Sequence, residues 1–104
     1  MTLQKLREMG FDVRVSHYRS YVSYDQFTGK PKVNLAKIEN CPKGAMISKG
    51  GRTTVEIVKG DESYLGTADC SMNDNFQRRV GYNVAAGRAY SQYVAHEKHF
   101  AQNS

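Results

Sequence analysis

From Asn73 to His99 the chain carries no proline, and Phe76, Val80, Val84, Gly87, Ser91 and Val94 recur at three- and four-residue steps. Side chains at that spacing fall on one face of an α-helix, so the pattern predicts a single long amphipathic helix near the end of the chain. Ser71-Met72-Asn73-Asp74, just ahead of it, has the Ser-x-x-Asp form of a helix cap. Gly81 and Gly87 each cost such a helix roughly 1 kcal/mol relative to alanine. A helix of this kind gains most of its stability by laying its apolar face on something else, so the remaining residues must supply a surface.

They supply strands. Thr2 can cap a short helix with Leu3, Leu6 and Met9 on one face, and Gly10 sits where a helix C-terminus favours glycine. The period then changes to two. Phe11, Val13, Val15 and His17 alternate with Asp12, Arg14, Ser16 and Tyr18, the mark of a half-buried strand; beyond it, through Tyr21, the Ser/Tyr composition suits either more strand or a loop. Arg52 to Lys59 is a β-branched run, Gly60-Asp61-Glu62 is a tight connection, and Ser63 to Cys70 returns, which makes a β-hairpin. Between these elements, Thr28-Gly29-Lys30-Pro31-Lys32, Cys41-Pro42-Lys43-Gly44 and Lys49-Gly50-Gly51 are breaks, while Val33, Leu35 and Ile38 suit either a short strand or a helical turn. The expectation is one α+β domain over residues 1–104. A small antiparallel sheet (strand plus hairpin) is packed by a long C-terminal and a short N-terminal helix, with a long irregular basic connection at about 25–51. A connection of that length is often functional.

Composition narrows the function. With 104 residues, 39% of them hydrophobic, the chain can bury one small core. No run of 18 apolar residues occurs, so neither a spanning helix nor a membrane partner is expected. Met1 to Glu8 is too polar for a secretory signal, which leads to a cytoplasmic expectation. Charge is one-sided: residues 1–60 hold 11 basic and 5 acidic side chains, residues 61–104 hold 4 and 5. The excess is densest from Lys30 to Lys59, where Lys30, Lys32, Lys37, Lys43, Lys49, Arg52 and Lys59 face only Glu39 and Glu56. Such a segment attracts anionic partners, although scattered lysines also serve solubility.

Two aromatic groupings are candidates for contact. On the long helix, Arg79, Tyr82, Ala86, Tyr90 and Tyr93 form a second stripe, well round the cylinder from Phe76, Val80, Val84 and Val94. If the Phe/Val stripe docks on the sheet, the Tyr/Arg stripe points away from it and suits a protein interface, where Tyr and Arg concentrate. The alternative is that the N-terminal helix or the middle segment covers these tyrosines, and Ala85, Ala86, Gly87 and Ala89 favour close packing nearby. The second grouping, Tyr18, Arg19, Tyr21 and Tyr24, interleaves aromatic and basic side chains as a nucleic-acid stacking platform does. Strand parity puts Tyr18 and Tyr24 on one face and Tyr21 on the other.

No catalytic constellation emerges. A Cys–His nucleophile would need Cys41 or Cys70 beside a histidine. Both read instead as small apolar residues, Cys41 the more exposed of the two. His96 and His99 with the two cysteines make a poor zinc set, because structural zinc cysteines come in close pairs and these are far apart in sequence. No phosphate-loop or dinucleotide glycine pattern occurs. Neither a cofactor nor a metal is expected.

Two stretches carry a likeness. Gly10-Phe11-Asp12-Val13-Arg14-Val15-Ser16-His17-Tyr18-Arg19 resembles the opening of small proteins of tailed bacteriophages. Cys70-Ser71-Met72-Asn73-Asp74-Asn75-Phe76-Gln77-Arg78-Arg79-Val80-Gly81, followed by Ala86-Gly87-Arg88-Ala89, is similar to their closing helix. The resemblance covers about half the chain, at its two ends. It implies a phage-encoded, non-enzymatic protein in a bacterial cytoplasm that inhibits or redirects a host protein or ribonucleoprotein complex, such as a CRISPR effector or another defence system. Partner contacts are then expected from Arg79, Tyr82, Tyr90 and Tyr93, or from the basic segment with Lys30, Lys32, Lys43, Lys49 and Arg52. The alternative is a small basic nucleic-acid-binding protein using Tyr18, Arg19, Tyr21 and Tyr24. A homodimer joined along the tyrosine stripe is compatible with either.

Overall fold

The computed structural model describes residues 2–102, with side chains described through Lys98. The elements in chain order are α1 (Leu3–Glu8), β1 (Asp12–Tyr24), β2 (Pro31–Lys37), a 3-10 turn (Ile38–Asn40), β3 (Arg52–Lys59), β4 (Glu62–Asp69) and α2 (Arg78–Gln102). The fold is α+β, as the alternation of periods implies. Thr2 caps α1, its hydroxyl accepting from the Lys5 N–H at 3.2 Å. All strands pair antiparallel in the order β2-β1-β3-β4.

β1 has two partners. Asp12 to Tyr18 pair with β3, and Tyr18 to Tyr24 pair with β2. The middle segment is therefore not the irregular connection expected at 25–51. Val33 and Leu35 alternate with polar neighbours and find a ladder on β1, so the short strand forms. Pro31 fits because it opens an edge strand, where a missing N–H costs no ladder bond. Residues 45–47 flank the other edge of β1: Val22 N–H donates to the Ala45 carbonyl and Ile47 N–H to that of Ser20, each at 3.0 Å.

The second departure is where α2 begins. The helix starts at Arg78, not near Asn73. Ser71 shapes a local turn instead of a cap, with its hydroxyl accepting from Asn73 N–H at 3.1 Å and its carbonyl from Asp74 N–H at 3.0 Å. Phe76 N–H then donates to the Ser48 carbonyl at 2.8 Å, which holds this stretch extended against residues 48–50.

The third departure reverses the two helix stripes. Ala85, Ala86 and Ala89 are fully buried, whereas Val80 is 55% and Val84 40% exposed. The cause is the distance at which α2 crosses the sheet. A Cβ on Gly66 of β4 would collide with the Ala85 carbonyl and the Ala89 nitrogen, and one on Gly81 with the Thr53 side chain. Only small residues fit beneath a helix held that close, so the alanines go in and the valines turn out. Around that contact the core is built from Leu6, Phe11, Val55 and Ile57, with Tyr64, Tyr82, Tyr90 and Tyr93 packed against it.

α2 packs on β3 and β4. The outer half of β1, paired with β2, runs on beyond that cover as an arm. The molecule accordingly measures 59 × 26 × 24 Å with a radius of gyration of 17.0 Å, against about 13 Å for a compact domain of this length.

Candidate functional site

The arm ends in a turn whose backbone is closed by one side chain. Asp25 Oδ1 accepts from the N–H of Phe27 at 2.7 Å and of Thr28 at 3.0 Å. Gly29 N–H donates to the Asp25 carbonyl at 2.9 Å, and Asp25 N–H to the Lys30 carbonyl at 3.0 Å. Donation from Thr28 and then Phe27 holds the Asp25 carboxyl below its ordinary value, because amide hydrogens favour the charged form. This network presents Phe27, 96% exposed, at the turn, beside Tyr24 at 69%.

Strand register fixes what surrounds that ring. Tyr24 pairs with Pro31, Ser23 with Lys32, Val22 with Val33, Ser20 with Leu35 and Tyr18 with Lys37. Tyr18, Val22, Tyr24, Val33 and Leu35 therefore share one face, with Val33 and Leu35 about half exposed. Lys30 and Lys32 flank the turn on the β2 side. On the other edge, residues 45–47 run antiparallel to β1, and Lys43 lies in the turn before them, which Ala45 N–H closes on the Pro42 carbonyl at 3.1 Å. The side chains of Lys30, Lys32 and Lys43 are exposed and make no ion pair or hydrogen bond among the described residues.

The remaining basic candidates sit elsewhere and are engaged. Lys49 Nζ donates to the Asn73 carbonyl at 3.3 Å, and Arg52 Nε pairs with Asp69 Oδ1 at 2.5 Å. Arg79 is exposed on the first turn of α2. Tyr82, Tyr90 and Tyr93 do not point away from the sheet as the stripe argument expects. Each is half-buried against the core, and the Tyr93 ring meets Phe11 edge-on at 4.9 Å and Tyr64 at 5.7 Å. Tyr64 in turn donates to Glu62 Oε2 at 2.8 Å; desolvation, then that bond, push its phenol up to about 12. The other partner of this stripe is the N-terminal helix, whose Leu3 and Met9 pack on the same cluster.

The four nucleic-acid candidates divide by face, Tyr18 and Tyr24 on one side, Arg19 and Tyr21 on the other. Arg19 is already committed. Its guanidinium lies 4.8 Å from the Phe76 ring centroid, Nη2 donates to the Ile47 carbonyl at 3.1 Å, and Nε is buried without a partner. His17 lies behind it, with Nδ1 2.9 Å from Thr53 Oγ1 and its ring edge-on to Phe76 at 5.8 Å. Burial, then the nearby Arg78 cation, lower the His17 pKa, with Glu39 acting the other way.

Cys41 is buried, contrary to the exposed loop position expected, and neither cysteine is in a disulfide. The Cys70 thiol is within 3.5–3.6 Å of the Ser71, Asp74 and Asn75 carbonyls, so it donates into a backbone turn. No group of three His, Cys, Asp or Glu among the described residues is placed to hold a metal, and the side chain of His99 lies outside those residues. No described helix is long and apolar enough to cross a membrane. Beside Cys70, the outward valines of α2 line an open cleft of ≈ 450 Å³ with Ala68, Phe76 and Arg88. Arg88 Nη1 donates to the Thr67 carbonyl at 2.5 Å there, on the outer strand of the sheet.

The site that sequence reasoning passed over is Phe27 with Val33 and Leu35. The available signal was a lone aromatic inside an Asp-x-x-Thr-Gly turn, followed by an alternating Val-x-Leu pair. Compared with known proteins, the chain matches no protein family, no curated protein and no solved structure.

Proposed function

We propose that this chain is a non-catalytic binding protein that inhibits or redirects a host protein complex, the context implied by its likeness to small tailed-phage proteins. The observation that carries the binding reading is the arm tip, where Phe27 is held out in solvent by a turn that Asp25 closes. A large apolar ring in that position adds nothing to the core, but it is what an interface anchor requires: contact area carried on a backbone already ordered before binding, with only the side-chain rotamer left to fix. In the body, His17 bonds Thr53 and the Cys70 thiol donates to backbone carbonyls.

The test is affinity capture from bacterial cells with the tagged full chain, beside a Tyr24→Ala/Phe27→Ala variant. A stoichiometric partner retained by the wild type and lost from the variant supports the reading. A folded wild type that recovers no stoichiometric partner, or equal recovery by both chains, overturns it.

A further inference from the structure

The charge around Phe27 specifies the partner. The acid of the turn, Asp25, already accepts two backbone N–H groups, whereas Lys30, Lys32 and Lys43 extend into solvent with no protein partner among the described residues. The tip therefore combines one projecting ring with Tyr24 beside it and a set of unengaged cations, while half-exposed Val33 and Leu35 lie further down the strand face. Resting on the binding reading above, we propose that the tip docks into an acidic-rimmed apolar pocket on a protein, with Phe27 in the pocket and Lys30, Lys32 and Lys43 facing carboxylates around it.

Beyond the Phe27/Tyr24 pair at the tip, the arm offers a nucleic acid no second stacking position. A stacking surface needs aromatic faces at the spacing of neighbouring bases. Tyr18 and Tyr24 share a face but stand six residues apart, about 20 Å along a strand, with aliphatic Val22 between them. Their cross-strand partners, Lys37 and Pro31, offer no aromatic ring. A second copy of this chain is disfavoured by the same lysines. Lys30 and Lys32, with Lys37 at the other end of the strand, line the β2 edge with like charge, a common way for an edge strand to resist self-association.

The experiment places a photoreactive phenylalanine analogue at position 27 of the full chain in bacterial cells. It compares the native lysines with K30E/K32E/K43E and with the matching triple arginine variant. These side chains bond to nothing among the described residues, so circular dichroism and melting should match the parent in all three. The expected result is a protein adduct whose yield falls at least about tenfold on charge reversal, falls likewise in high salt, and returns with arginine. An adduct indifferent to both charge reversal and salt overturns the acidic rim and leaves the binding reading intact. An adduct to nucleic acid or lipid, or to a second copy of the chain, overturns the inference. With a captured partner but no adduct at position 27, the pocket is overturned; with no captured partner, the binding reading fails first.

Discussion

Where α2 crosses β3 and β4, the sheet offers Val55, Ile57 and Gly66, and the helix answers with alanines that exclude water. Where β1 runs on with β2, the helix gives no cover, and Val33, Leu35 and Phe27 stay in solvent. The body is held by side-chain packing at close approach. The arm is held by its backbone ladder, by Arg19 and buried Ser20 at its root, and at its end by one carboxylate in a turn. Stability should therefore reside almost wholly in the body, while the arm remains free to vary in what it presents. The comparison breaks if arm substitutions unfold the protein or if body substitutions are tolerated.

The largest effect is expected at the closest contact. Gly66→Val sets a branched side chain against the Ala85 carbonyl, and backbone cannot rotate away as a side chain can. A loss of about 3 kcal/mol, the upper end for overpacking, is expected, and thermal melting checks it. Leu6→Ala empties a fully buried site in α1, a short terminal helix that can settle into the space, and should cost about 2 kcal/mol in urea unfolding, the low end for a buried leucine. Val84→Ala, on the helix side that sequence periodicity alone assigns to the core, should stay within about 0.5 kcal/mol. Equal losses for Leu6→Ala and Val84→Ala would show that the outward face of α2 is packed after all.

These contrasts mark what the sequence makes legible. Period-two alternation located β1 and the three- and four-residue steps located α2, because each period follows from backbone geometry alone, while a β-branched run and a tight Gly-Asp connection located β3 and β4. Which side of α2 faces inward is different. Hydrophobicity favours Val80 and Val84, but Gly66 and Gly81 set a separation that only alanine tolerates, and that separation belongs to the assembled sheet and helix. β2 was ambiguous for a related reason: Val33, Leu35 and Ile38 fit two periods, and the choice was made by a partner strand whose length the sequence left open beyond Tyr18. The start of α2 was misplaced because Ser71-x-x-Asp74 serves a turn as well as a cap. At the candidate site the lysines were visible as composition. Their division into unengaged ones at the tip and engaged ones at Lys49 and Arg52 required the fold.

A moderate effect tests the junction where body meets arm. His17 has a folded-state pKa below its ordinary 6.5, first through burial and then through Arg78. The unfolded chain therefore binds the proton more readily, so stability rises with pH across the window between the lowered value and 6.5. The His17 contribution is fully present above that window and is lost as pH falls through it. Urea unfolding at stepped pH should show a loss on acidification that His17→Gln, which can still bond Thr53, reduces. An identical slope in both proteins would place the acid sensitivity elsewhere.

The smallest effect on stability is expected at the tip, and it separates local order from global order. Asp25→Ala removes the acceptor for the Phe27 and Thr28 amides, both at an exposed turn. Global unfolding should not change, since nothing in the core touches this carboxylate. Amide hydrogen exchange should nevertheless accelerate at Phe27 and Thr28 while Val55 and Ile57 keep their protection. Acid should mimic the substitution. With its pKa lowered in the folded chain, Asp25 holds the turn above its ordinary value and releases it as pH falls through the lowered one. If exchange at Phe27 ignores both the substitution and the acid, the ring is not held by Asp25. The arm would then engage its partner through an ordered strand and a loose tip, and Asp25→Ala would leave crosslinking at position 27 unchanged. If the turn loosens as expected, that crosslink should weaken with Phe27 itself intact, because an anchor ordered only upon binding loses part of its contact energy to the ordering.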